Sequence, residues 1–414
     1  MYTLPGYVEY YEEDGALYVT SKLLQNKVKI TEKPLQEEFY AIVRCGGCPD
    51  ISTPLTRFLH EQELLLNSEE ITQALKEAVS ILNDTLLLTI MPTEGCNFRC
   101  PYCYEEHTPI SMSRAVLDRI QEYIAEQAPR FGLIQINWFG GEPTLCKDTI
   151  LETSELIQSL QRENSFLYSA AMTTNGYLLN VENFKEYYAA GIINYQITLD
   201  GWNHDQTRPH VSGRGTLQTI LDNLTAISAL PEEYQFQILL RHNILAGDRD
   251  FSWYDNLYKL FGADKRFTVM VRVVGNWGGE SVKTLNLLEG EQQEQLLSEH
   301  TAYLDKVGMQ GGGQDAPFSG ICYASYPHGF VFRPSGKIEK CTIALDHPKN
   351  MVGYVDPDKG VVIRDEANRQ WCTFDLKPEC QGCPDVLKCF NMRCKRHVMD
   401  GVETACPYMP REAR

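Results

Sequence analysis

The sequence predicts an α/β protein, with a parallel sheet of six strand–helix repeats, a small α+β unit before it and a cysteine-rich tail after it. Three observations carry this. Between residues 85 and 307, short β-prone runs alternate with helical stretches at crossover spacing. The runs lead into polar or glycine-rich loops, the first of them into a loop with three cysteines. The 14 cysteines gather largely in two dense groups, one after the first run and one in the final quarter.

Residues 1–82 form the first unit. Tyr7–Tyr11, Ala16–Ser21 and Lys27–Thr31 are β-prone and separated by turn-forming segments, so they read as hairpins. Pro34–Val43, Leu55–Glu63 and Ser68–Leu82 read as helices, with Ser68-Glu-Glu-Ile opening the last. Three small strands and helices make a winged-helix-like module. It is acidic and lacks a basic recognition helix, but an exposed strand edge could accept a peptide by β-augmentation. A purely structural cap is the alternative. Cys45-Gly-Gly-Cys48 is a redox or metal pair by spacing and a turn by default, because two ligands do not close a metal site.

The repeats fill residues 85–310. Strands are expected at Thr85–Met91, Leu133–Phe139, Leu167–Thr173, Asn194–Leu199, Tyr234–Leu240 and Phe267–Val274. Helices are expected at Ser113–Gln127, Thr149–Gln161, Val181–Ala190, Leu217–Ala229, Asp250–Leu260 and Glu291–Val307. In parallel α/β folds the loops after the strands' C-terminal ends build the site. Those loops here hold Cys96-x3-Cys100-x2-Cys103, Gly140-Gly-Glu-Pro143, Thr174-Asn-Gly176, Asp200-Gly201, Arg241-His-Asn243 and Gly275-Asn-Trp-Gly-Gly279. Three thiolates at that spacing can curl around one metal centre, and a cubane iron–sulfur cluster normally takes four cysteines. The lone Cys146 reads as a small buried hydrophobe.

The tail, residues 311–414, contains Cys322, Cys341, Cys372, Cys380, Cys383, Cys389, Cys394 and Cys406. It is poor in long apolar helices, so metal centres are expected to supply much of its stability. By spacing alone both zinc and iron–sulfur fit. A net charge of −17 argues against a broad nucleic-acid surface, and no apolar run reaches bilayer length. The N-terminus lacks secretory features, so a cytoplasmic protein with reduced thiols is expected.

Cys96-x3-Cys100-x2-Cys103, with Tyr102 before its last cysteine, resembles the signature of radical S-adenosylmethionine (SAM) enzymes. Gly140, Gly141, Glu142 and Pro143 resemble the motif that holds the cofactor's methionine amino group, and Thr174-Asn175-Gly176 is similar to the segment near its ribose. Arg241 joins this implied cofactor set. Asp200-Gly201, Arg208 and the Gly213–Thr216 stretch resemble what peptide-modifying members carry after strand four. The tail resembles the SPASM auxiliary-cluster domain, although four residues rather than three separate Cys389 from Cys394.

The resemblance implies a partial (β/α)6 barrel with three [4Fe-4S] clusters. Cys96, Cys100 and Cys103 would hold the first, whose fourth iron takes SAM and starts a 5′-deoxyadenosyl radical. Cys380, Cys383, Cys389 and Cys406 would hold an outer auxiliary cluster. Cys322, Cys341 and Cys394 would hold an inner one, with Cys372 or an open position as its fourth ligand. Phe98 and Tyr102 would shield the cluster and adenine.

The winged unit resembles the leader-recognition domain of ribosomal-peptide maturases, most like the thioether-forming ranthipeptide (SCIFF) enzymes. The expected activity is a Cys sulfur-to-carbon crosslink in a leader-bearing precursor peptide, with flavodoxin or ferredoxin as reductant and neither nucleic acid nor membrane as partner. Alternatives are sulfatase-maturase-like formylglycine formation, with Asp200 or Asp205 as acid–base group, carbon–carbon crosslinking or epimerisation, and a non-catalytic iron–sulfur or zinc scaffold.

Overall fold

The computed structural model describes residues 1–311, 321–345, 347–372, 376–390, 394 and 399–401. Cys406, a proposed outer-cluster ligand, lies outside them. The chain divides into two compact units: Met1–Asn83 with the described parts of Gly313–Pro327 and Arg369–Arg414, and Asp84–Gly312 with His328–Asn368.

In the first unit, β1 (Tyr2–Thr3) pairs antiparallel with β5 (Leu66–Asn67). Strands β2 (Val8–Glu13), β3 (Ala16–Ser21) and β4 (Lys27–Ile30) form an antiparallel sheet with β3 central. Helices α1 (Lys33–Arg44), α2 (Pro54–Glu61) and α3 (Ser68–Ser80) complete it. Asn67, not Ser68, caps α3: its side chain accepts from Glu69 and Glu70 N–H while Glu70 bonds back to Asn67 N–H. Helix α1 runs into the Cys45–Cys48 turn, where Gly46 adopts φ +68°. Cys48 is buried in the unit's core and Cys45 is exposed.

That core also includes Tyr7, Leu17, Phe39, Leu65 and Leu75, and takes in Val386, Leu387 and Phe390 from the tail. Cys380 and Cys383 pack against it. Gly6 N–H donates to the Gln381 carbonyl at 2.8 Å. The Gln381 amide donates to Ser68 Oγ at 2.9 Å and Thr72 Oγ1 at 3.0 Å on α3. The tail's Cys380–Cys383 turn is thus bonded directly into the first unit.

The second unit is the repeat domain. Strands β6 (Thr85–Ile90), β7 (Leu133–Trp138), β8 (Leu167–Thr174), β9 (Ile192–Thr198), β10 (Gln237–Ile244) and β11 (Phe267–Val273) pair parallel in sequence order. Helices α4 (Arg114–Gln127), α5 (Lys147–Glu163), α6 (Val181–Ala189), α7 (His204–Thr207), α8 (Leu217–Ser228), α9 (Ser252–Phe261) and α10 (Gly290–Val307) follow the strands. All six residues of β6 are buried, as a parallel strand covered on both faces requires.

The sheet continues beyond the six repeats. Strand β12 (Gly329–Phe332) adds parallel to β6, and β13 (Lys337–Glu339), β14 (Met351–Asp356) and β15 (Gly360–Ile363) extend it antiparallel. The result is a mixed ten-stranded sheet, a partial barrel with an added wing. Among the described residues no helix is long and apolar enough to cross a membrane.

Candidate active site at the C-terminal ends of the parallel strands

One cavity in the second unit is lined by residues from loops that follow different strands. Cys96, Cys100 and Cys103 line it with Gly140, Gly141, Thr174, Asn175, Arg208 and Arg241. The cysteine loop is held on both sides. Phe98 forms an antiparallel bridge with His210, with Arg99 N–H donating to Pro209 O and Val211 N–H to Asn97 O. On the other side, Gly141 N–H donates to Thr93 O at 3.2 Å and Glu142 N–H to Gly95 O at 3.0 Å.

The two glycines permit that contact. Gly140 has φ +108°, and a Cβ on Gly141 would stand 2.4 Å from Gly95 O and 2.6 Å from Glu94 O. Their role in the structure is to let the β7 loop meet the backbone of the cysteine loop. Glu142 itself is fully buried. Its Oε1 accepts from Thr144 N–H, Thr144 Oγ1 and Thr174 Oγ1, and its Oε2 accepts from Asn175 N–H at 2.7 Å. Burial raises its pKa against those donors. Glu142 therefore welds the loops after β7 and β8 together, and Pro143 opens the short turn beyond it. Asn175 completes the join, donating to Asn97 Oδ1 at 2.7 Å between Cys96 and Phe98.

Tyr102 is the hub of the opposite wall. Its hydroxyl donates to Asp200 and accepts from Arg208 Nη1 at 3.1 Å and Asn243 Nδ2 at 3.3 Å, using its whole capacity. Asp200 also accepts from Thr207 Oγ1 at 2.9 Å and Asn243 N–H at 3.3 Å, and it is buried behind the lining residues. The sequence marked Asp200 as an acid–base candidate; in the structure its carboxylate is engaged by Tyr102, Thr207 and Asn243. Asp205, the other candidate, accepts from Thr216 and Leu217 N–H at the start of α8, a helix-capping role. Arg241 donates to Asn243 Oδ1 at 2.8 Å, and Phe98 packs edge-on to Tyr177.

Burial pushes the thiols of Cys96 and Cys103 up to about 12 and raises that of Cys100 against the pull of Arg208. Three thiolates in so dry a pocket need a multivalent cation to compensate them, which is what a metal cluster supplies. Arg208 is buried with its Nε unpartnered at the same cavity, a donor fit for an acceptor group on a bound ligand. The donor set fits the implied cluster and cofactor. Among the described residues no three of His, Cys, Asp and Glu stand at metal-binding distances, so the thiols share a cavity without closing on a centre.

The tail cysteines occupy varied settings. Cys380 and Cys383 flank the turn bonded to the first unit, and Cys389 ends the short helix Val386–Cys389. Cys372 Sγ lies 3.7 Å from Tyr326 O, Cys322 is half-buried and Cys394 exposed. Cys341 is buried, its amide and carbonyl both bonded to the Asn350 side chain. Cys146 Sγ, half-buried, faces Pro92 O at 3.8 Å.

The sequence reading missed Gln196, Thr198, Tyr104, Glu105 and His107 as cavity residues. A signal existed for the strand residues: Gln196 and Thr198, like Arg241 and Asn243, are two apart and share one face.

Residues 90–234 match the family model of the Radical SAM superfamily. A GTP 3′,8-cyclase from Haemophilus ducreyi is 30% identical over 139 residues, 33% of this chain and 39% of the relative. One from Psychromonas ingrahamii is 26% identical over 247 residues, 54% of this chain and 68% of the relative. The chain spans less than half the length of three such cyclases, 39%, 42% and 47%.

Among solved structures, anSMEcpe with bound AdoMet and Kp18Cys peptide superposes with a TM-score of 0.52 at 18% identity, over 74% of this chain and 88% of that one. SuiB of Streptococcus suis bound to precursor peptide SuiA gives 0.52 at 13% identity, over 96% and 97%. Residues 90–234 therefore match the Radical SAM superfamily, and the chain shares the fold of anSMEcpe and SuiB.

Proposed function

We propose that the protein is a radical SAM peptide maturase that joins a cysteine sulfur to a carbon of a ribosomally made precursor. The observation that carries the reading is the convergence of three thiols, a Gly-Gly loop and a Thr-Asn loop on one cavity at the strands' C-terminal ends. Cluster and SAM, when bound, supply reductive cleavage and a carbon-centred radical that removes a hydrogen atom from substrate.

The residues of the chain bind, orient and exclude water. Cys96, Cys100 and Cys103 would hold the cluster on which SAM is cleaved. Gly140, Gly141, Thr174 and Asn175 shape the cofactor's seat, which Glu142 keeps rigid. Arg208, fixed by the Tyr102 hydroxyl, keeps a spare donor for an acceptor on the ligand. The tail cysteines, Cys406 among them, would hold two further clusters. Forming the carbon–sulfur bond breaks one C–H and one S–H bond, a net two-electron oxidation of the peptide: one electron leaves with the hydrogen atom taken by the SAM-derived radical, the thiol proton goes to solvent, and the second electron offsets the one spent in cleaving SAM.

Support for a peptide substrate comes from the first unit. The likeness to SuiB, solved with its precursor peptide, extends over nearly the whole chain, whereas that to anSMEcpe leaves about a quarter uncovered. Strand β4 is an edge strand, open to addition of a leader strand.

The test is anaerobic incubation of the reconstituted protein with SAM, reductant and a cysteine-bearing precursor encoded beside it. A thioether shows as loss of two hydrogen atoms and a cysteine that resists alkylation. An unchanged mass signals epimerisation and a hydrazide-reactive aldehyde signals formylglycine; either overturns the crosslinking reading. Replacing Cys96, Cys100 and Cys103 with Ala should abolish 5′-deoxyadenosine, and persistent cleavage would overturn the assignment of the first cluster.

A further inference from the structure

Beyond Cys103 the chain forms a wall shared by two cavities. Tyr104, Glu105, His107 and Trp277 line the cysteine cavity and also a second one, which Glu94, Glu106, Arg333, Ile343 and Leu345 complete. The second cavity holds a carboxylate oxygen that lacks a donor. Arg333 is committed to Glu94, at 2.8 Å from Nε and 2.7 Å from Nη2, and reaches Glu339 at 3.5 Å. Glu105 has no such hydrogen-bonded partner: its Oε2 is sealed from solvent with no donor among the described residues, and Arg333 acts on it only through space. A desolvated carboxylate without a donor is costly, so this site favours a ligand that brings one.

We propose that the second cavity receives a lysine or arginine side chain of the peptide substrate, with Glu105 as the group that takes its N–H donors. This rests on the peptide-maturase reading and adds a sequence preference to it. The remaining walls suit such a guest. Tyr104, Ile343 and Leu345 can cover a methylene stem, and the indole of Trp277 can face the cation. Because the wall is common to both cavities, a side chain anchored at Glu105 would set the adjoining backbone against the reacting centre. Glu105 would then be a specificity-determining residue.

The test uses the full-length reconstituted protein and n-butylguanidinium, with n-butylurea as its uncharged counterpart, titrated by calorimetry. The wild type should bind the guanidinium, bind the urea weakly, and lose about tenfold or more in guanidinium affinity in Glu105→Gln. Glu106→Gln, at an exposed rim position, should leave that affinity unchanged. Cluster absorbance and SAM affinity measured on the same samples report whether Glu105→Gln is folded; should it fail, Trp277→Ala takes its place and should weaken the guanidinium. Equal binding of guanidinium and urea, no binding of either, or undiminished affinity in the folded variant would overturn the proposal. Since no turnover is read, these results stand apart from the maturase reading, which would fail instead by retained SAM cleavage without the three cysteines.

Discussion

Gly6→Ala tests whether the Cys380–Cys383 turn is locked to the first unit. A Cβ at Gly6 would stand 2.2 Å from the carbonyl oxygen of Cys383, 2.5 Å from its carbon and 2.6 Å from its nitrogen. All three are backbone atoms, so no side chain can swing away. Overpacking of this kind costs about 1–3 kcal/mol. The shift also strains the Gly6–Gln381 hydrogen bond, whose loss adds about 0.5–1.5 kcal/mol. The total, about 1.5–4.5 kcal/mol, falls on one contact rather than on the domain. Amide exchange should therefore quicken across 5–8 and 380–390 while the parallel strands keep their protection. If Cys380 and Cys383 are ligands, the outer centre should lose iron while the Cys96 loop keeps its own. Unchanged exchange across 380–390 together with unchanged iron would refute this docking.

Glu142→Gln replaces an acceptor of four hydrogen bonds with an amide that must turn a donor toward donors. It should cost about 2–4 kcal/mol and weaken SAM binding by calorimetry; wild-type affinity would remove Glu142 from its role as the weld. Tyr102→Phe leaves Asp200, Arg208 and Asn243 each short of a partner, an expected loss of about 1–3 kcal/mol in denaturant unfolding, and an unchanged midpoint would deny the hub. A pH dependence follows from His204 and His300, both fully buried with pKa values held down chiefly by desolvation. Below about 6.5 the unfolded chain binds protons that the folded one refuses, so stability rises with pH up to that point and is level above it. Each histidine contributes at most about 1.4 kcal/mol per pH unit; urea midpoints equal at pH 5.5 and 7.5 would contradict this.

The six repeats were legible because parallel strands buried on both faces read as apolar runs, and Thr85–Ile90 is the extreme case. The wing β12–β15 was not. Gly329–Phe332 is only four residues long, and nothing local says that it pairs with β6, some 240 positions earlier. The cavity's cysteines and glycines were legible because their types are unusual at that spacing. Its polar wall was not, because Tyr102 meets Asp200 across 98 residues and Asn243 across 141. A carboxylate at a strand end looks the same in sequence whether it faces a substrate or a tyrosine.

That ambiguity resolves into a division of labour among the acidic residues around the cysteine loop. Glu142 joins two loops, Asp200 fixes Tyr102 and through it Arg208, Asp205 caps α8, and Glu94 holds Arg333. Each already has its donors, and removing any one would leave buried donors unsatisfied rather than merely subtract a charge. Such fixed partners suit the proposed radical chemistry, where orientation and dryness matter more than a poised base. Glu105, by contrast, has an Oε2 that no donor among the described residues reaches, and it lies where the two cavities share a wall. The difference between Asp200 and Glu105 is thus not exposure or position in a motif but whether the fold has already supplied the donors, and only a carboxylate oxygen that lacks one is left for a substrate to complete.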